Sequence, residues 1–195
     1  MRRSALLMLF ALVAVPASAQ PAPDTLEIYP VHGSDAELQI VSELRDVIAA
    51  HDLRDWEVAP VVRIDETQIP HSHPVLTLHT RYLGNPDGLL AVYLHEQFHW
   101  WVIERAEALD AARAELRETY PDAPLDRPLG AGSARSTYLH LVVCHLEYQA
   151  MRALVGEQRA RQALAANNHY TWIYERVLND PSLTELLRRH GFALE

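Results

Sequence analysis

The sequence predicts an α+β fold: a small N-terminal β-sheet with one packed helix, a buried helix, and a mainly helical C-terminal half. Three observations carry this. Short alternating or β-branched runs occur only before residue 83. Apolar residues recur at helical spacing through most of the chain after residue 88. A chain of 195 residues, 49% apolar, can bury one sizeable core and is too short for two large ones.

Composition narrows the classes further. A charged fraction of 22% with four Trp and eight Tyr argues against intrinsic disorder. Cys144 is the single cysteine, which excludes an intramolecular disulfide framework and a zinc site built on several thiolates. The formal charge is −9 and the chain has no lysine. Nucleic acid and anionic membranes are therefore not expected partners.

The elements follow in order. Met1-Arg2-Arg3, the apolar run Leu6 to Val15 and the small residues Ala17-Ser18-Ala19 read as a secretory signal peptide, residues 1–19. Cleavage would leave 20–195 as one domain, periplasmic or secreted. No membrane anchor is expected after cleavage, because no later apolar run reaches about 18 residues. Thr25 to Tyr29 alternates and predicts a strand. Ser34 to His51 predicts an amphipathic helix, with Ser34 and Glu37 as a capping box and Leu38, Val41, Leu44 and Ile48 as its inner stripe. Val58 to Ile64 and Val75 to Tyr82 predict two more strands. The turn Asn85 to Gly88 launches a long helix to about Glu118. Tyr120 to Ser133, with three prolines and two glycines, predicts a loop. Helices follow at Ala134 to Val155, Glu157 to Leu178 and Pro181 to His190.

The informative segment is Leu89 to Ile103, LLAVYLHEQFHWWVI. Its apolar residues surround the helix, so it should be buried on most sides. Glu96 is its only formally charged residue before the C-terminal end, and a buried carboxylate needs compensation. His95 and His99 supply it. On a helix they lie about 40° apart, with Glu96 about 60° beyond His99. Imidazoles at i and i+4 can reach one metal ion from successive turns, and the Glu between them can accept a proton from water at an open position.

A third ligand should come from the later helix TYLHLVVCHLEYQAM. Relative to its apolar stripe, Glu147 and His140 lie on the border and His145 on the far side. Spacing thus favours Glu147 or His140. Cys144 reads as a small buried hydrophobe, and His71 and His73 as solvated residues of a polar turn.

His95-Glu96-Gln97-Phe98-His99 with its uncharged flanks resembles the zincin metallopeptidases. The resemblance implies a zincin-like fold, one Zn2+ per chain, a peptide or protein substrate, and hydrolysis by metal-activated water with Glu96 as general base. No His follows at the short metzincin spacing. A downstream ligand on a later helix is similar to the gluzincin branch, which implies Glu147 as third ligand with His140 as the alternative. Leu146 and Met151 replace the Asn and Asp that flank the gluzincin Glu, so a ligand-orienting group must come from elsewhere. In zincins a strand before the active-site helix pairs with extended substrate, and Pro74 to Thr80 occupies that place. His169, Tyr170 and Tyr174 are the candidates for oxyanion stabilisation, with Tyr148 and Arg135 further ones. The loop Tyr120 to Ser133 could gate the cleft, its glycines serving as hinges. Competing readings are an inactive zincin-fold module that binds metal or protein, and a non-peptidase zinc hydrolase.

Overall fold

The computed structural model describes residues 26–194. The predicted signal peptide, residues 1–19, lies outside the described residues. Strands β1 (Glu27–Pro30), β2 (Val61–Ile64) and β3 (Leu76–Leu78) form one sheet, parallel throughout, in the order β1-β2-β3. Parallel neighbours need a crossover. Helix α1 (Asp35–Ala49) provides it between β1 and β2. Seven helices make up most of the remainder, and the α+β class holds.

Ser34 caps α1 by accepting from the backbone N–H of Glu37 at 3.2 Å. The carboxylate of Glu37 reaches further back than a capping box, to the N–H groups of His32 and Gly33, and across to Glu66. Helix α1 buries Ile40, Val41, Leu44 and Val47. Leu38, expected inside, is 51% exposed.

Strand β3 departs from the free edge that sequence suggested. Thr77 exchanges both backbone hydrogen bonds with His71, at 2.8 and 3.1 Å. Its outer edge is therefore taken at the centre by the loop that leads into the strand. The predicted strand to Tyr82 ends at Leu78 and gives way to a 3₁₀ turn, Thr80–Tyr82.

The long helix expected from residue 88 to 118 is two helices, α2 (Pro86–Ile103) and α3 (Ala106–Thr119). No Gly or Pro marks the break. Arg105 makes it: its guanidinium donates to the Trp101 carbonyl at 2.9 Å and lies 3.4 Å from the Trp101 ring centroid. Asn85 caps the start of α2 by accepting from Gly88 N–H. Helix α4 (Ala134–Val155) matches its predicted bounds. The next predicted helix divides into α5 (Glu157–Ala165) and α6 (Thr171–Asn179), and α7 (Pro181–Arg189) ends the fold. The break lies at Asn167-Asn168, residue types that compete with the helix for backbone hydrogen bonds.

Helix α2 packs against α1, β3, α4 and α5, and α4 packs in turn against α3, α5 and α6. The buried apolar residues form one continuous core. Among the described residues no helix is long and apolar enough to cross a membrane.

Gln97 shows how the middle of α2 is fixed. Its Oε1 accepts from the N–H groups of Val58 and Ala59, and its Nε2 donates to the Ala59 carbonyl and the Tyr93 hydroxyl. The loop before β2 is thereby pinned to the helix that carries His95, Glu96 and His99.

Candidate metal centre

The α2–α4 contact brings three imidazoles together. The ring centroids of His95, His99 and His140 stand 5.1, 5.4 and 5.0 Å apart, a nearly equilateral triangle. One nitrogen from each lies within 4.8 Å of the other two. His95 and His99 share a face of α2 because they are one turn apart. His140 comes from the facing turn of α4.

Hydrogen bonds select the nitrogens. His140 Nδ1 lies 2.7 Å from the Ser136 carbonyl, which can only accept, so Nδ1 carries the proton and Nε2 is the free donor atom. His95 Nδ1 donates to Glu147 Oε2 at 2.8 Å. Glu147 also accepts from the Tyr174 hydroxyl at 2.9 Å. Both Nδ1 atoms are engaged by these acceptors, which leaves Nε2 of each ring free. This arrangement, a histidine oriented by a carboxylate or a carbonyl behind it, is how ligand imidazoles are held.

The two sequence candidates for a third ligand fall in different places. Glu147 was expected to join His95 and His99. It lies instead against the far nitrogen of His95, and His140, the alternative, completes the triangle. A second grouping of potential ligand atoms, His95, Cys144 and Glu147, uses that same Nδ1. Its shortest contact is the hydrogen bond itself, and Nδ1 cannot donate a proton to Glu147 and bind a cation at once. A third grouping, His32, Glu37 and Asp65, has both carboxylates engaged by backbone N–H groups. His71 bonds the Ile69 carbonyl, and His73 bonds the Ser72 hydroxyl and stacks on Trp100 at 4.2 Å; neither belongs to the trio.

The electrostatics follow from burial. Glu96 is 6% exposed, and burial raises its pKa to about 7. No donor among the described residues bonds its carboxylate. Burial pushes His99 well below the ordinary imidazole range and lowers His140 to about 3. Burial acts the same way on His95, but the Glu147 carboxylate outweighs it and holds that ring well above the usual value. Two neutral rings and one carboxylate-backed ring thus face one point.

Beside the triangle lies a cavity of about 400 Å³. His95 and Glu96 line it from α2, Tyr82 and Arg81 from the 3₁₀ turn, Tyr170 and His169 from the loop before α6, and Arg127 from the loop before α4. Tyr170 adopts a left-handed backbone, φ 56°. That conformation is strained for a bulky residue and places its ring parallel to His95 and 4.3 Å from His140.

The other predicted candidates divide. Tyr174 is buried, donates its hydroxyl to Glu147 and also lines the cavity. The Tyr148 hydroxyl is committed to Glu157, and Arg135 does not line the cavity. Cys144 is buried behind His95. His145 projects away from the centre as expected, but it is buried and neither ring nitrogen finds a partner.

The loop 120–133, expected to gate the cleft, is closed by its own backbone hydrogen bonds. Gly130 and Gly132 N–H close it onto Asp126 and Leu125, and the Pro128 and Leu129 carbonyls accept from α6. A Cβ on Gly130 would meet the Pro124 carbonyl at 2.1 Å, so glycine there permits close approach. Arg81, Tyr82 and Arg127 were not singled out in the sequence. They are ordinary surface types there, and only the fold brings them to one cavity.

Comparison with protein-family models, curated proteins and solved structures finds no match to the chain.

Proposed function

We propose that this chain is a zinc-dependent peptidase whose ion is held by His95, His99 and His140, with Glu96 as general base. The observation that carries the reading is the trio of converging imidazoles with Glu96 beside it in an open cavity. Three nitrogen ligands and one remaining position suit catalytic zinc, and the donor set disfavours calcium and magnesium. When bound, such an ion supplies a Lewis acid and an acidified water.

The chain's own groups do the rest. Glu96, desolvated and without a hydrogen-bond partner, takes a proton from water and returns it to the leaving amine. Glu147 and Tyr174 keep the His95 ring turned toward the triangle. The Tyr170 hydroxyl, beside His95 and Glu96 in the cavity wall, is the donor for the developing oxyanion. His169, exposed on the same loop, is the weaker candidate for that role. The N-terminal signal pattern supports export of the enzyme.

The test is metal analysis of purified protein with a peptide library as substrate. The proposal expects about one zinc per chain, cleavage by wild type, and retention of zinc without turnover in Glu96→Gln. Zinc retained with no peptide cleaved by wild type would support a metal-binding module or a hydrolase of other esters and amides.

A further inference from the structure

Two exposed guanidinium groups stand at the cavity, that of Arg81 lying 5.9 Å from the Tyr82 ring centroid. Among the described residues, the side chains of Arg81 and Arg127 make no ion pair and no hydrogen bond, yet both line the cavity that holds Glu96. The only carboxylates lining it are Glu96 and Glu147. Glu147 is already engaged by His95 and Tyr174. On a chain of net charge −9 without lysine, two arginines lining one cavity make it a local concentration of positive charge.

Arginine has a planar fork of donors that matches a carboxylate, and it is weakly hydrated. The two residues reach the cavity from separate elements, one from the 3₁₀ turn and one from the closed loop tied to α6. The space is small: about 400 Å³ lies near the lower end for ligand sites. Its remaining lining includes Ile69, Ala91, Val92 and Leu164, which suits a short apolar side chain. A long extended substrate also lacks a rail, since the centre of the β3 edge is bonded to His71.

We infer that Arg81 and Arg127 hold the free C-terminal carboxylate of a peptide, so that the site trims residues from chain ends. This rests on the peptidase reading above. An acidic side chain offers the same chemistry as a terminal carboxylate, so the test must separate the two.

N-acetylated tetrapeptide libraries would be compared in three forms: free acids, C-terminal amides, and amides ending in Asp or Glu. Zinc-loaded enzyme should cleave the free acids about tenfold to a hundredfold faster in kcat/KM than the amides, mainly through KM. In Arg81→Gln/Arg127→Gln the acid-to-amide ratio should fall toward one, with partial recovery in Arg81→Lys/Arg127→Lys. As a readout without turnover, Glu96→Gln should bind N-acetyl-Ala-Ala-Leu more tightly than its amide by calorimetry, and adding the Arg substitutions should remove the difference. Equal cleavage of acids and amides overturns the inference and leaves the peptidase reading standing. A preference confined to the Asp and Glu amides overturns it in favour of an acidic side-chain pocket. No cleavage of any form overturns both.

Discussion

Glu147 holds the outward nitrogen of His95 at 2.8 Å while its own second contact, the Tyr174 hydroxyl, ties it to α6. One carboxylate thus links three helices behind the imidazole triangle. Its position separates two roles that sequence could not distinguish. A ligand's loss removes the metal, whereas an orienting group's loss weakens it. We therefore expect His140→Ala to abolish stoichiometric zinc binding, and Glu147→Gln to retain the ion with affinity lowered about 10- to 100-fold. Competition with a chelator of known affinity measures both. The reverse ranking would return Glu147 to the coordination sphere.

Tyr170 should matter to rate more than to binding. Its ring packs on His95 and His140 whether or not the hydroxyl is present. Tyr170→Phe is expected to lower kcat about 100-fold with little change in KM or in zinc content. Unchanged kcat would assign the oxyanion contact to another group.

His145 gives the fold an acid sensitivity separate from the histidine trio. It is 2% exposed, both nitrogens lack partners, and burial lowers its pKa to about 4. An unfolded chain protonates this ring near the usual pH of about 6.5. The unfolded state therefore binds the extra proton first, and stability falls as pH drops from about 6.5 to about 4, by up to about 3 kcal/mol. Above that window the term vanishes. His145→Leu should raise the melting temperature more at pH 5 than at pH 7.5. Equal shifts at both pH values would show that the ring finds a partner in solution.

Gln97 is expected to be among the costlier polar residues of α2 to remove. Gln97→Leu would strand the N–H of Ala59, which is buried, and that of Val58. The expected loss is about 2–4 kcal/mol in urea unfolding. A loss under about 0.5 kcal/mol would mean that the loop before β2 relaxes to water.

The sequence by itself determined the α+β class, the starts and ends of α1 and α4, the burial of α2, and the pairing of His95 with His99. All of these are local. Capping residues fix helix starts, uniform apolarity marks a buried helix, and a four-residue step sets two side chains on one face. The break at Arg105 was not legible, because a guanidinium folding onto Trp101 leaves no Gly or Pro signature. Nor was the choice between His140 and Glu147. A helical projection orders side chains around one axis but does not say which neighbour occupies each direction. Helix α4 is enclosed along most of its length, so both residues are buried, His140 toward α2 and Glu147 between His95 and Tyr174. Only the packing of α2, α4 and α6 decided which nitrogen and which oxygen meet.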